Sequence, residues 1–336
     1  MFETSQQTEE PELLCDPDCG RHVLFPIKHD DLFEFYKVHL ACFWTVEEVD
    51  LNEDIAHWRD RLTESERRFV SYVLAFFAAS DGVVLENLGT RFMAEVKLPE
   101  ARQFYAVQMC MESIHAEMYS QLIQTLVTDP TERDRLFSSM STVPCVREKN
   151  EWALRHVDSS RSFGERLVAF ACVEGIFFSA SFCAIFWLKS RGLMPGLALS
   201  NEFIARDEGL HRNFACALFR KLTAPPSSEL VLEVVRGAVD AETRFARDAL
   251  HENLIGMNAG SMCEYVRFVA DDLLKTLGLP SHYHAKNPFP FMEAISLQGK
   301  TNFFERRVSE YQRCGVMAKL RTDLVDDRAF QQDVDF

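Results

Sequence analysis

Glu112 and His115 stand three residues apart in Met111-Glu112-Ser113-Ile114-His115-Ala116-Glu117-Met118-Tyr119, and Glu208 and His211 repeat the spacing in Arg206-Asp207-Glu208-Gly209-Leu210-His211. Residues three and four apart are neighbours on an α-helix. Each pair can therefore offer a carboxylate and an imidazole to one metal ion. Tyr119 falls one further turn along the first of these helices, close enough to exchange an electron with that metal. A single E-x-x-H on an amphipathic helix is usually a surface ion pair, and two of them make a dinuclear site only when carboxylates join from further helices. Oxygen-rich donors with two imidazoles suit iron or manganese better than zinc or copper, with iron the first choice and manganese a substitute.

Asp81 and Glu174 are the two acids that meet this need. Asp81 follows Val73-Leu74-Ala75-Phe76-Phe77-Ala78-Ala79-Ser80 and precedes Gly82-Val83-Val84-Leu85; Glu174 sits in the middle of a run from Leu167 to Phe182 that is apolar on every face. An ionised carboxylate left alone in such surroundings costs several kcal/mol, so it is either protonated or matched by a cation. Along the chain the order is D, E-x-x-H, E, E-x-x-H, the pattern of a ferritin-like helical bundle with a dinuclear metal site in its core. Tyr119 separates this pattern from a storage bundle. Phe178 and Phe182, one and two turns beyond Glu174, and Ile204, one turn before Glu208, are placed to wall a dry pocket round the phenol, although plain core packing explains all three equally well and an ordinary hydrogen-bonded core tyrosine is the alternative for Tyr119.

The elements that must position these residues are all helical. A helical pattern runs from Asp31 towards Leu51 through Phe33, Tyr36, Leu40 and Phe43 to an at least half-buried Trp44, with a turn or short helix start at Thr45-Val46-Glu47-Glu48. Thr63 and Glu66 have capping-box spacing and open a helix to about Lys97 that carries Asp81. After Leu98-Pro99 a second long helix, from about Glu100 to Val127, carries Glu112, His115 and Tyr119. Two shorter helices, Thr131 to Ser141 and Val146 to Val157, are separated by Val143-Pro144. The apolar helix of Glu174 is expected as one piece from Ser162 to Ser190, ended by Gly192. Pro195-Gly196 reads as a link, and Ser200 or Asn201 as the cap of the helix carrying Glu208 and His211 to Leu222. Two amphipathic helices follow, Ser228 to Ala249 and Asn258 to Leu277, and residues 279–305 read as irregular structure packed on the bundle. The expected organisation is a flexible N-terminal tail (1–25), an all-α domain (26–306) and a flexible C-terminal arm (307–336).

With 336 residues, 47% of them hydrophobic, the chain has ample material for a large core. Its 36 Lys and Arg against 51 Asp and Glu give a net charge of −15, which argues against a nucleic-acid surface, since phosphate contact needs a basic face. The ten cysteines are scattered and the first twenty residues are polar and acidic rather than signal-like, so reduced thiols in the cytoplasm are expected. Cys15, Cys19 and His22 lack the second half of a zinc-finger spacing. The stretch from Leu167 to Leu188 is long enough to span a bilayer, but a central glutamate and the lack of a comparable second segment favour a buried core helix, with no membrane role.

With those residues in view, the chain closely resembles the small, radical-generating subunit of class I ribonucleotide reductase in its eukaryotic form. The likeness runs from about Phe25 to Phe336 and is carried by FWTVEEVDL at 43–51, LAFFAASDG at 74–82, MESIHAEMYS at 111–120, VEGIFFSASF at 173–182, RGLMPGL at 191–197, SNEFIARDEGLH at 200–211 and NPFPFMEAISLQGKTNFFERRVSEYQR at 287–313. The resemblance implies that Asp81, Glu112 and His115 bind one iron, that Glu174, Glu208 and His211 bind the other with Glu112 bridging, and that Tyr119 is the radical site. It also implies that Trp44, Asp207 and His115 form an electron route to the metals, and that Tyr311 relays the radical to a large catalytic subunit docked on the C-terminal tail. It further implies a homodimer and the reduction of ribonucleoside diphosphates to deoxyribonucleotides. The chain departs from the family in its short N-terminal extension and between Cys314 and Val334, which bears on partner choice rather than chemistry. No glycine-rich phosphate loop is present, consistent with the nucleotide being held elsewhere.

Overall fold

Apolar residues recurring at helical spacing, with capping residues at the breaks, produce a bundle of twelve α-helices of four residues or more among the described residues of a computed structural model, which are 12–16, 21–157, 160–250, 254 and 256–292. The chain divides into two compact units, Met1–Phe289 and Pro290–Phe336. The bundle belongs to the first; the expected arm at 307–336 and its boundary lie outside the described residues. No strand occurs among the described residues beyond one isolated bridge between Leu254 and Met257.

The helices are α1 (Asp30–Leu40), α2 (Asn52–Asp60), α3 (Glu64–Asn87), α4 (Pro99–Leu126), α5 (Pro130–Phe137), α6 (Ser139–Thr142), α7 (Pro144–Val157), α8 (Phe163–Cys172), α9 (Ser179–Ser190), α10 (Pro195–Phe219), α11 (Ser228–Ala249) and α12 (Ala259–Thr276). α3 lies along α4, with α1 on the other side of α4; α8 lies between α10 and α11, and α11 packs on α12 and α7. Several starts fall where the capping residues predict. Thr63 and Glu66 close a reciprocal capping box at α3, Ser162 caps α8, and Asn258 caps α12. Gly192 takes the left-handed conformation (φ 69°) after α9, as a C-terminal cap requires.

Four elements depart from the sequence reading. The pattern expected to run from Asp31 towards Leu51 stops at Leu40; Thr45 and Glu48 form a second capping box over a short 3₁₀ turn, and α2, which the periodicity did not reveal, follows. The helix of Asp81 passes into a π turn at Leu88–Phe92 before a last α turn. The helix of Glu174 is not one piece: α8 gives way to a π turn at Val173–Phe177, and α9 starts afresh beyond Phe178. Every face of that run is apolar, so a change of winding leaves no mark in the hydrophobic pattern. Finally, α10 starts at Pro195, not at Ser200 or Asn201. Its first amides, Gly196 and Leu197, donate to the two carboxylate oxygens of Asp54 at 2.8 Å each, a cap supplied from α2 and therefore without a local signal. A Cβ on Gly196 would lie 2.3 Å from the Asp50 carbonyl oxygen, so only glycine admits this approach.

Part of the segment expected as an N-terminal tail is tied to the bundle. Leu14 is buried, its carbonyl accepts the Lys97 amide at 2.8 Å, and Arg21 pairs with the buried Glu100. Contrary to the expectation of a single such segment, two helical stretches among the described residues are long and apolar enough to cross a membrane, Glu64–Glu95 and Phe163–Ser190. Their apolar windows are 61% and 94% buried inside the protein, which marks both as core helices carrying the acids Asp81 and Glu174.

Candidate metal centre

Four helical elements aim acids and imidazoles at one place: α3 with Asp81, α4 with Glu112 and His115, the π turn with Glu174, and α10 with Glu208 and His211. All six are buried. One ligand atom from each of Glu112, Glu174, Glu208 and His211 lies within 4.8 Å of the others. His211 Nδ1 is 3.0 Å from Glu112 Oε1 and 3.1 Å from Glu208 Oε2; His115 Nδ1 is 3.0 Å from Glu208 Oε1 and 3.5 Å from Glu112 Oε2. Asp81 is outside the four-residue group but faces it, with Glu112 and His115 the charges that act on it most strongly.

The donors fit a cation. Both oxygens of Glu112, Glu174 Oε2, Asp81 Oδ2 and His115 Nδ1 are buried without a hydrogen-bond partner, although Glu112 and His115 stand 3.0–3.5 Å from opposite donors and acceptors. Atoms this close whose directions miss hydrogen-bond geometry are arranged as ligands are, converging on points between them. The electrostatics agree. Burial, reinforced by Glu112, pushes Asp81 well above the usual carboxylate range, and burial with Glu208 and Glu112 does the same to Glu174. Burial alone would lower both histidines; the Asp207 hydrogen bond and the facing carboxylates of Glu112 and Glu208 raise His115, and the carboxylates of Glu208, Glu112 and Glu174 raise His211. A cluster this acidic holds protons unless metal cations replace them.

Tyr119 is buried, donates to Asn201 Oδ1 at 2.8 Å and stacks on Phe77 with ring centroids 4.3 Å apart and planes 3° apart. Phe178 and Phe182 pack on Phe77, at 5.4 and 5.1 Å, so they back the ring that covers the phenol. Burial, then Asp81, pushes the phenol well above its ordinary value. On the other side, Trp44 Nε1 donates to Asp207 Oδ2 at 2.9 Å and the same oxygen is 3.3 Å from His115 Nε2. Trp44 is only 2% exposed. Burial tends to raise Asp207, but the His115 hydrogen bond and Arg206 hold it below the ordinary range. Tyr311 lies outside the described residues.

Sequence reasoning missed four residues here. Asn201 was read as a cap and instead holds the phenol. Phe77 is the ring on Tyr119. Gln108 donates to Glu174 Oε1 at 3.0 Å. His39 places Nε2 3.3 Å from His211 Nε2, and burial with the charge of His211 pushes it down to about 3. A signal existed for the last two: Gln108 precedes Glu112 by one turn, and His39 continues the stripe of Leu32 and Phe35, so each is a polar side chain on a core-facing stripe.

A helical bundle with an inward carboxylate on each of two helices and an inward E-x-x-H on each of two others is a ferritin-like protein with a dinuclear metal site. The profile of the family described as ribonucleotide reductase, small chain, matches residues 21–288. The chain is 54% identical over 331 residues to the ribonucleoside-diphosphate reductase small chain of Trypanosoma brucei brucei, covering 98% of this chain and 96% of that one. With the small chain of Nicotiana tabacum it shares 57% over 312 residues, covering 93% and 94%. Among solved structures, a ribonucleotide reductase homodimer from Saccharomyces cerevisiae superposes with a TM-score of 0.75 at 34% identity, over 90% of this chain and 93% of that one. The chain belongs to the ribonucleotide reductase small-chain family. It is accordingly the small subunit of an oxidoreductase that acts on ribonucleoside diphosphates.

Proposed function

We propose that this chain generates a radical at Tyr119 and relays it to a large catalytic subunit, where ribonucleoside diphosphates lose their 2′-hydroxyl. The observation that carries the reading is the convergence of buried, unpartnered carboxylate oxygens beside a tyrosine sealed from water. Asp81, Glu112 and His115 would hold one metal ion and Glu174, Glu208 and His211 the other, and iron, or manganese in its place, suits these donors. When bound, a reduced metal pair supplies the electrons that activate dioxygen to an oxidant able to take one from a phenol.

The chain's own residues do the rest. Tyr119 gives up an electron and its phenolic proton together, the proton passing to one of the facing carboxylates, because burial and those acids disfavour a phenolate and the product is then an uncharged phenoxyl. Asn201 Oδ1 orients the hydroxyl, and Phe77 excludes water from the ring face. Trp44, Asp207 and His115 form the line along which a further electron reaches the metals and the radical later leaves, the Trp44 indole N–H and Asp207 keeping a proton within hydrogen-bond reach of each transfer. Tyr311 takes the radical onward and residues 333–336 dock the large subunit. The assembly is a cytoplasmic homodimer, which the homodimeric yeast relative supports.

Electron paramagnetic resonance after adding ferrous iron and oxygen tests this. A tyrosyl doublet is expected in the native protein and none in Tyr119→Phe with metal binding intact; fully metallated native protein without a signal refutes the radical assignment. Deleting residues 333–336 is expected to abolish reductase activity while leaving the radical yield unchanged, and loss of the radical would refute the docking role.

A further inference from the structure

We propose that Lys149, Glu242 and Ser179 are positioning residues that hold the π turn carrying Glu174 in register, and so determine whether this carboxylate faces the metal centre. The inference rests on the reading of Glu174 as a metal ligand. The π turn ends at Phe177, Phe178 has turn geometry (φ −90°, ψ −10°), and α9 begins anew at Ser179. A junction of this kind leaves the last carbonyls of one helix and the first amides of the next without ladder partners, and in a dry core each unmet group is costly. Here side chains meet them. Lys149 Nζ donates to the Phe177 carbonyl at 2.7 Å and the Ala180 amide donates to Glu242 Oε1 at 3.1 Å, while Ser179 Oγ, at 2.6 Å, is a second donor to the Ile176 carbonyl beside the Phe178 amide.

Lys149 comes from α7 and Glu242 from α11; they pair at 2.5 Å and both are fully buried. The ammonium also lies 3.2 Å from the Phe76 ring centroid and 4.0 Å from that of Phe245. As a source of stability such a pair is a poor choice, since apolar side chains of matching volume are often as stable or more so. What apolar side chains cannot do is cap a carbonyl and an amide. Without the caps, those groups are best satisfied by rewinding the π turn as α-helix, which absorbs the extra residue of the wider turn. Each residue of an α-helix turns the chain by about 100°, so the side chains before the junction, Glu174 among them, rotate by that angle relative to α9. Gln108, donating to Glu174 Oε1, secures the carboxylate tip but not the backbone that carries it.

The test is a Mn(II) titration of the metal-free, full-length protein, counting ions bound per chain, with thermal unfolding in parallel. Native protein is expected to bind two ions. The double variant Lys149→Met/Glu242→Leu, which leaves no lone buried charge, is expected to fold and to bind one. A folded double variant that binds two ions with native affinity overturns the inference while leaving the ligand reading intact; native protein that binds none overturns both. If the double variant does not fold, Ser179→Ala, which removes a single hydroxyl, is measured instead. A roughly tenfold weaker second ion with the first unchanged supports the inference, and two unchanged affinities overturn it.

Discussion

Two buried clusters of charge flank the segment 163–190, and they are built on opposite principles. In the Lys149–Glu242 pair each charge faces its counter-charge at 2.5 Å and has a backbone partner within the chain, and Glu242 Oε2, which makes no hydrogen bond, lies in ion-pair contact with the ammonium; burial draws the amine down only to about 8, still held by Glu242. Around Glu112 and Glu174, four carboxylates and two imidazoles leave several atoms unpartnered, and two of the acids are pushed up strongly. The first cluster is complete as folded; the second is completed by something the chain does not encode. A buried charge that the protein balances belongs to the architecture, and one that it leaves unbalanced marks a ligand.

This contrast predicts effects of different size and sign. The largest is on the balanced side: Lys149→Met, which strands Glu242, is expected to lower the unfolding stability of the metal-free protein by about 3–5 kcal/mol in denaturant titrations. A loss below 1 kcal/mol would remove the distinction between the clusters. Next, metal at a hundredfold excess over its dissociation constant is expected to stabilise the native protein by about 2.7 kcal/mol, read as a shift of the unfolding midpoint that a chelator reverses. Third, Glu174→Gln in the metal-free protein is expected to raise stability by about 1 kcal/mol, because a neutral amide replaces an acid crowded by other acids. A destabilisation of the size seen at Lys149 would show that this cluster too is balanced from within.

The smallest effect is a control at two carboxylates that backbone amides and arginines hold in the ionised form. Glu66 feels burial but is held below its ordinary value by the Thr63 amide and Arg191, and Glu100 likewise by the Lys28 amide and Arg21. Their folded values are depressed, so their contribution is present above the ordinary carboxylate value near 4.5 and is lost as pH falls through the folded value. Replacing either by Gln is expected to flatten the acid limb of stability against pH. An unchanged limb would show that these pairs are screened into irrelevance.

How much of this was legible in the sequence depends on whether the signal was local. The metal acids stood out because each is a charge on a stripe that otherwise repels charge, and the helix starts at Thr63, Ser162 and Asn258 were visible because a cap and its amides lie three residues apart. Tyr119 was placed beside the metals by its helical spacing from His115, whereas the membership of Trp44 and Asp207 came from resemblance, and their contact spans 163 residues of chain. The π turn at Val173–Phe177 was invisible because winding changes nothing in an all-apolar pattern. Asn201 was misread because the true cap of α10, Asp54, is 142 residues distant. Nothing local in the sequence singles out Lys149 and Glu242, and only the packing of α7 and α11 against the π turn gives them backbone groups to serve.

The Asp54 cap has a mechanical corollary. The segment bearing Trp44 is fastened to α10 at one end by Asp54 on Gly196 and Leu197, and at the other by Arg206 on the Cys42 carbonyl and Asp207 on the indole. It cannot peel away at its far end without stripping a helix of its N-terminal partners, so the indole stays seated as firmly as that helix stays wound. A single added methyl group at Gly196 would pry this seam apart from the end remote from the metals, and would slacken the tryptophan without touching any group it bonds to.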